Sequence, residues 1–410
     1  MAAEGNQKMV IWIVAISLVA IILVVAAIMF GQQDGPPTFS TSFGSGQPTN
    51  KTGDFSHPVG VAVSPNGQIF VLETAISRIQ QLDVSGKVLA EWGSPGSKNS
   101  QFDEPLRLAA DTGGNLWVAD TGNHRIQWFS AAGEWQGAFG ARGGEPGEFS
   151  HPAGLAFDSN NNLYVADSQN HRIQKIGRQL NVLQVYPEAP DNVNAQGLLD
   201  TPWGVAIDAT DTVYVADTGH NRIVRYSNDG RFLSAFGSRG KADGQFDGPK
   251  ALAFDSDGNL VVVDSGNNRL QKFTPQGEFM YAWGGQGVTG GMFNNPQQLA
   301  IASDGTLYVA DTGNNRIQKF VPRKLNSTNS ALPIVGPTRP VFQADPRTGN
   351  PDTLPPAQGV PEGGATTLPN TAPPDTLPPP DTSAPGGTAT SSATPLDPAL
   401  LEATPSPVEL

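Results

Sequence analysis

The sequence predicts an all-β protein, a closed six-bladed β-propeller with four-stranded blades, and three observations lead to this fold class. The 410-residue chain contains 47 Gly and 35 Pro, which are poor helix formers, and no Cys. A Pro, an acidic residue and an Arg recur in a constant phase through the middle of the chain. The units between them consist of short β-like runs separated by turn signals, at a spacing typical of propellers and arrays.

The chain begins with a short N-terminal segment, residues 1–8, and an apolar run, residues 9–30, without charge or Pro. As a helix this run would extend about 33 Å, which is enough to cross a bilayer. A cleaved signal peptide is the alternative, but the run is longer than a typical h-region and no small-x-small site follows it. Lys8 before the run and Asp34 after it favour a single-pass anchor with the bulk of the chain outside the cytoplasm.

The propeller is predicted over residues 37–322, where the repeat markers keep their phase six times. The first marker is a Pro, at Pro58, Pro105, Pro152, Pro202, Pro249 and Pro296, with intervals of 47, 47, 50, 47 and 47 residues. An Arg follows each Pro by 20 positions, and an acidic residue precedes each Arg by five. The pairs after Glu73–Arg78 are Asp120–Arg125, Asp167–Arg172, Asp217–Arg222, Asp264–Arg269 and Asp311–Arg316. A residue present in every blade is expected to be structural, here as a salt bridge across a hairpin.

Each unit is predicted to contain four strands. In the last unit, residues 299–302, 307–310 and 316–320 are strand-like, and a fourth strand is clear in earlier units at 232–237 and 279–284. The last unit has no fourth strand because a Pro-rich tail follows, whereas residues 38–44 show the fourth-strand pattern ahead of the first unit. Pairing them with the last unit would close the ring and remove exposed edges, which disfavours an open solenoid.

Several segments resemble the signature of NHL repeats. They are DTGNHRI at 120–126, DSQNHRI at 167–173, DTGNNRI at 311–317, PAGLA at 152–156 and PWGVA at 202–206. The resemblance covers residues 37–322 and implies a six-bladed propeller of a bacterial-type, membrane-anchored NHL protein. It does not imply one function, because the family includes partner binding, RNA binding and, in relatives, lyase or lactonase chemistry. The first unit departs most, since Glu73 to Arg78 lacks the Gly-Asn turn.

The tail, residues 323–410, is predicted to be disordered. It holds 19 of the 35 prolines and one aromatic residue, Phe342. Such a composition buries too little apolar surface to offset the entropy of ordering. We expect a linker or spacer without a specific partner.

Candidate binding residues are those at which one blade departs from the repeat. The loop that enters the first strand and the hairpin between the second and third strands lie on one rim of a propeller, and all five His fall there. Beside the Pro positions, polar or aromatic residues replace small ones near the central channel. A concave opening with an aromatic and several polar groups suits a protein, peptide or small-molecule ligand. The candidate ligand-binding residues are His57, Arg107, His151, Trp203, Lys250 and Gln298.

The alternative function is a metal-dependent hydrolase or lyase, lactonase-like or amidoglycolate-lyase-like, with Zn or Ca at the channel mouth. His124 and His171 occupy the hairpin position that the resemblance associates with metal, but a third His at that offset is missing. We therefore expect no cofactor and no catalytic residue. RNA binding is disfavoured because residues 31–322 carry 20 basic and 29 acidic residues.

Together these features predict a cell-membrane protein that displays a propeller outside the cytoplasm. Its expected role is binding or scaffolding through the His-bearing rim, rather than catalysis. The chain has a formal net charge of −13, and no nucleic-acid partner is expected.

Overall fold

The computed structural model describes residues 35–187 and 195–323. They form six four-stranded antiparallel sheets and one short parallel pair. The first strand of each sheet contacts the first strands of both neighbouring sheets, and the first and last sheets also meet in this way. The sheets are therefore the blades of a closed ring around a central channel.

The strands are given in chain order. β1 (Thr38–Phe43) precedes blade 1, which contains β2 (Pro58–Val63), β3 (Ile69–Glu73), β4 (Arg78–Leu82) and β5 (Val88–Trp92). The parallel pair β6 (Ser94–Pro95) and β7 (Gln101–Phe102) leads to blade 2, with β8 (Arg107–Ala110), β9 (Leu116–Asp120), β10 (Arg125–Phe129) and β11 (Trp135–Phe139). Blade 3 contains β12 (Pro152–Phe157), β13 (Leu163–Asp167), β14 (Arg172–Ile176) and β15 (Val182–Tyr186).

Blade 4 contains β16 (Pro202–Ile207), β17 (Val213–Asp217), β18 (Arg222–Tyr226) and β19 (Phe232–Phe236). Blade 5 contains β20 (Pro249–Phe254), β21 (Leu260–Asp264), β22 (Arg269–Phe273) and β23 (Phe279–Gly284). Blade 6 contains β24 (Pro296–Ile301), β25 (Leu307–Asp311) and β26 (Arg316–Val321). Short 3-10 helices lie at Ser168–Asn170, Ala195–Gly197, Ser265–Asn267 and Thr312–Asn314.

The N-terminal strand closes the ring. β1 pairs antiparallel with β26, from Phe43 opposite Ile317 to Thr38 opposite Val321, and becomes the outer strand of blade 6. Every blade then has four strands, so no sheet is left with an incomplete edge. The predicted six-bladed propeller and its closure by residues 38–44 are confirmed.

The first strand of most blades begins earlier than predicted. The sequence places the recurring Pro in a loop, whereas Pro58, Pro152 and the corresponding residues of blades 4 to 6 are the first residues of β-strands. Pro lacks an N–H but is tolerated at the first position of a strand, where no ladder hydrogen bond is lost. One extra residue then follows, and the register shifts in a β-bulge, as between Pro202 and Gly204.

The hydrophobic core lies between the blades, because the inner strands of each blade are covered on both faces of the sheet. All five residues of β17 are buried, and so are all five of β21. Strands covered on both faces are continuously apolar, whereas outer strands alternate. Outer strand β19 accordingly alternates between partly buried and exposed residues.

A Gly after an outer strand allows the chain to turn toward the next blade. Gly140 has φ of +96°, and a Cβ at this position would lie 2.4 Å from the Cδ2 atom of the buried Phe149. Only Gly combines the positive φ with this close approach. This is the physical reason for the aromatic-Gly pattern that marks the fourth strands.

Three predicted segments lie wholly or largely outside the described residues: the N-terminal segment at 1–8, the span at 9–30 and the tail, of which residues 324–410 are outside. Within the described ranges, 35–187 and 195–323, no helix has the length and apolar character needed to cross a membrane.

Candidate functional site: the rim and the central channel

The repeated acidic residue is the centre of a buried hydrogen-bond network on the rim. In blade 5 the Oδ1 atom of Asp264 accepts the backbone N–H of Asp247 at 2.8 Å. Its Oδ2 atom accepts Arg269 Nε at 2.8 Å, Asn267 Nδ2 at 2.9 Å and Gln271 Nε2 at 3.0 Å. Burial raises the pKa of Asp264, although these donors oppose the rise. The carboxylate thus ties its hairpin to the loop that enters the blade.

The same ion pair is present in all six blades. The Arg Nε atom lies 2.7–2.8 Å from the carboxylate oxygen in Glu73–Arg78, Asp120–Arg125, Asp167–Arg172, Asp217–Arg222, Asp264–Arg269 and Asp311–Arg316. The acidic side chain is fully buried in each pair. A sixfold network of this kind holds the rim together and offers no unique ligand site.

His124 and His171 hold neighbouring blades together. Both have positive φ, 55° and 53°, as do the Asn residues at the same position of blades 4 to 6. In each case the side chain accepts the N–H of the residue before the next blade's Pro. These links are His124 to His151 (3.2 Å), His171 to Thr201 (3.0 Å), Asn221 to Gly248 (2.8 Å), Asn268 to Asn295 (2.7 Å) and Asn315 to His57 (3.0 Å).

This geometry assigns the two histidines a structural role that sequence reasoning missed. Imidazole Nδ1 replaces the amide oxygen of Asn, and both residue types tolerate the left-handed conformation. Burial, with a further effect of the neighbouring His151, lowers the pKa of His124, and this favours the neutral ring that the accepting Nδ1 requires. The rings of His124 and His151 meet edge to face, 4.7 Å apart.

His124 and His171 are not part of a group of metal ligands among the described residues. Catalytic zinc needs about three protein ligands that converge on one point. His124 and His171 are held separately by blades 3 and 4, and His220 hydrogen-bonds to Asp217 at 2.9 Å. In the part of the chain that the structure describes, no three His, Asp or Glu residues form a metal-binding group.

The residues after the Pro approach the channel in two layers. We call the first residue after each Pro the upper layer and the second the lower layer. In blades 3 and 4 the lower layer is Gly, and a Cβ on Gly154 or Gly204 would lie 2.6 Å from Trp203 O or 2.7 Å from Lys250 O. Gly is therefore required where adjacent first strands approach so closely.

Arg107 replaces this Gly in blade 2, and its side chain occupies the channel. Its Nη1 atom donates to Val59 O of blade 1 at 3.3 Å and to Leu106 O at 2.9 Å. Its Cζ atom also lies 5.5 Å from the ring centroid of Trp203 in blade 4. A side chain from blade 2 that reaches both blades 1 and 4 must extend across the channel. Arg107 is only 1% exposed.

Trp203 and Lys250 belong to the upper layer and join the same cluster. Lys250 Nζ lies 4.6 Å from the Trp203 ring centroid, which is a cation–π distance. The Lys250 ammonium also donates to Gln297 Oε1 at 3.0 Å. Both Trp203 and Lys250 are partly exposed. We call Arg107, Trp203, Lys250 and Gln297 the channel cluster.

Gln298 lies in the channel next to a separate cavity. Its Nε2 atom donates to Leu108 O at 2.9 Å, a bond between blades 6 and 2, which are not neighbours. It also lines a cavity of about 390 Å³ toward the opposite face, surrounded mainly by Ala, Val, Leu and Ile side chains of the first strands.

The channel cluster is a cationic site in which Arg107 is buried and Lys250 is partly buried. Burial lowers the pKa of Arg107 to about 9. Burial, with a smaller effect of Arg107, lowers the pKa of Lys250 to about 8. Among the described residues, no carboxylate forms an ion pair with either group, although their domain is acidic overall.

The structure brings three of the six candidate residues together and separates the other three from them. Arg107, Trp203 and Lys250 are in contact, and Gln298 occupies the channel nearby. His57 and His151 instead form blade-to-blade links through their backbones. Sequence reasoning missed Gln297 as a member of the cluster. The position of Gln297 in the repeat could have indicated this, because it follows its Pro by one position, as Trp203 and Lys250 do.

Comparison with known proteins supports the repeat assignment. The profile of the family described as NHL repeat matches residues 102–129, 149–176, 199–226, 246–273 and 293–320. The domain is an NHL-repeat propeller. The first blade is outside the matched segments, in line with the absence of a Gly-Asn turn after Glu73. No curated protein sequence matches the chain.

Solved structures share the fold of this NHL propeller at low sequence identity. A streptogramin B lyase is 17% identical with a TM-score of 0.50, and the match covers 69% of this chain and 97% of the lyase. A Bacteroides thetaiotaomicron protein of unknown function is 18% identical with a TM-score of 0.54, covering 69% and 74%. An auxiliary nutrient binding protein from the same species is 12% identical with a TM-score of 0.50, covering 70% and 75%. These similarities show the fold and do not select a function.

Proposed function

We propose that this protein is a binding module that takes a ligand at the rim-side mouth of the propeller channel. The observation that carries the proposal is the convergence of Arg107, Trp203 and Lys250 from three blades. An aromatic ring with a few convergent polar groups in a concavity is the usual composition of a small-ligand or peptide site.

The fold itself does not require these side chains. Blades 1, 3 and 4 form the same first strand with Gly60, Gly154 or Gly204 at the position of Arg107. Blades 1 and 3 likewise have Val59 and Ala153 at the position of Trp203. Residues that depart from a repeat and meet each other in space are better explained by a shared ligand than by the architecture.

Membrane display is part of the proposal. Residues 9–30 are long enough for a single span, and Lys8 before the run, against Asp34 after it, favours a propeller outside the cytoplasm. The absence of Cys suits a bacterial exported protein. Protease added to intact cells should degrade the propeller, and protection of the propeller until the cells are lysed would overturn this topology.

The metal-dependent hydrolase or lyase receives less support than the binding module. His124 and His171 have their Nδ1 atoms engaged in separate blade-to-blade links. Elemental analysis of the purified full chain distinguishes the two functions. Stoichiometric zinc or calcium that is lost in His124→Asn would overturn the binding-module proposal, since Asn preserves the link but is a poor zinc ligand.

A fragment screen tests the binding site directly. Ligand-detected NMR on the full chain in detergent would use a mixture of carboxylates, phosphates, amines and neutral aromatic compounds. We expect fragments that bind the unaltered protein and are lost in Trp203→Ala, with Trp135→Ala, at an exposed outer-strand Trp, as the control. If no fragment shows this dependence on Trp203, the proposed site is wrong.

A further inference from the structure

Arg107 differs from the other buried cations of the propeller. Among the described residues, four Lys or Arg residues are buried: Arg107, Lys175, Lys272 and Arg316. Lys175 lies 3.1 Å from Asp158, Lys272 lies 2.7 Å from Asp255, and Arg316 lies 2.7 Å from Asp311. Burying a cation is costly unless an anion pairs with it. Arg107 is the member of this set without an acidic partner.

The unused donors of Arg107 form one edge of its guanidinium. Nη1 bonds to two carbonyl oxygens, while Nε and Nη2 are buried and have no acceptor among the described residues. The N–H groups of Nε and Nη2 point in the same direction and match the two oxygens of a carboxylate or phosphate. Arg78 uses this same edge on Glu73, with Nε at 2.8 Å and Nη2 at 3.2 Å.

Lys250 adds a second positive charge on the side nearer the rim. Its ammonium lies over the same Trp203 ring as Arg107 and has a neutral partner, Gln297. Because Lys250 and Trp203 are partly exposed, the cluster is open to solvent at the mouth, whereas Arg107 lies behind them.

We propose that the channel cluster binds an oxyanion, the carboxylate or phosphate end of a small ligand, on the Nε–Nη2 edge of Arg107 and the ammonium of Lys250. This inference rests on the proposed function and specifies the chemical class of its ligand. The bound oxyanion supplies the negative charge that the protein does not. Trp203 lies against both cations and packs against the ligand's body.

The test compares two oxyanions with a neutral probe that matches one of them in shape. Sodium acetate, inorganic phosphate and neutral acetamide, which has the shape of acetate, are titrated against the full chain in detergent at constant ionic strength. Dissociation constants are obtained from the shift of the unfolding midpoint with probe concentration. We expect acetate or phosphate to bind and acetamide not to bind. A larger response to acetate identifies a carboxylate, and a larger response to phosphate identifies a phosphate.

Two site variants and one surface variant locate the binding. Arg107→Met and Lys250→Met should each weaken the oxyanion response at least tenfold. Arg231→Met removes the same charge from a side chain that is 74% exposed, and it should leave the response unchanged. The inference is overturned if acetate acts no differently from acetamide, or if both site variants bind as tightly as the unaltered protein.

This test can fail independently of the proposed function. Neutral fragments that require Trp203 but bind equally well to Arg107→Met would leave the binding module in place and reject its oxyanion specificity. Loss of every Trp203-dependent interaction in the fragment screen would reject both proposals.

Discussion

Replacing Arg107 with Met should make the ligand-free protein more stable. The substitution removes a buried charge that has no acidic partner and leaves an apolar side chain of similar length and high adaptability. Removal of a buried charge usually destabilises a protein because its partner is left unpaired. Among the described residues Arg107 has no such partner, so removal of its charge should stabilise the protein instead.

The magnitude follows from the contacts of Arg107. Burial lowers its pKa from the usual value for Arg to about 9, which corresponds to about 5 kcal/mol of unfavourable free energy for the charged form at neutral pH. The cation–π contact with Trp203 offsets about 2 kcal/mol of this. Loss of the two hydrogen bonds from the charged guanidinium to carbonyl oxygens, one of them long at 3.3 Å, offsets about 2–3 kcal/mol more. The net gain for Arg107→Met is about 0–1 kcal/mol, or up to about 3 °C in the unfolding midpoint of a domain of this size.

The assay is thermal unfolding of the full chain and the variant from pH 7 to 10, without added phosphate or carboxylate. Above about pH 9 the folded chain releases the Arg107 proton, whereas the unfolded chain still keeps it. The full cost is therefore present below pH 9. Above pH 9 the unfolded state binds more protons at this group, so the cost of Arg107 and the advantage of Arg107→Met shrink as pH rises.

A loss of stability in Arg107→Met at pH 7 would refute this reasoning. It would mean that the guanidinium closes the channel as a structural element and that its three contacts outweigh its desolvation. Arg231→Met, whose surface ion pair with Asp229 is 3.0 Å long, is the control and should change stability by less than about 0.5 kcal/mol.

Further predictions address the other features. Because burial lowers the pKa of Lys250 to about 8 and the groups facing its ammonium are Arg107 and neutral side chains, oxyanion affinity should fall as pH rises through 8, and Lys250→Met should lack this step in a pH titration of binding. Asp264→Ala should cost about 3–5 kcal/mol in urea unfolding, since it removes the buried carboxylate that pairs with Arg269 Nε and accepts the backbone N–H of Asp247, and a cost below 1 kcal/mol would contradict the network. His124→Asn should stay within about 0.5 kcal/mol of the unaltered protein while His124→Ala loses about 1 kcal/mol, and equal stabilities would show that the blade-to-blade link is unimportant. Deletion of residues 1–34 should move the protein from the membrane to the soluble fraction in cell fractionation, and retention in the membrane would contradict the anchor.

Much of the fold could be predicted from the sequence because its signals are local. Each blade is a meander whose turns, strand periods and Asp–Arg pair lie within about 35 consecutive residues. Six copies of that pattern then determine the number of blades. The closing strand was also predictable, since the residues at 38–44 complete the count that the tail interrupts. The exact start of the first strands was not, because a Pro signals a loop as readily as a strand's first residue.

The site depended on contacts that no local pattern contains. Arg107 and Trp203 stood out in the sequence as departures from the repeat, but their contact joins blades 2 and 4 across the channel. Likewise, the sequence placed His124 on the rim without indicating whether it faced a ligand or the next blade.

The sequence by itself determined a six-bladed NHL propeller closed by its N-terminal strand, because hydrophobic period and turn chemistry are set by neighbours along the chain. Only the tertiary structure decided which of the unusual residues meet. Closing the ring brings the lower and upper layers of different blades to one axis, where Gly154 and Gly204 let the strands approach and Arg107 is buried without a carboxylate partner among the described residues. That combination of proximity and desolvation exists only in the folded ring, and it distinguishes the channel cluster from the structural histidines around it.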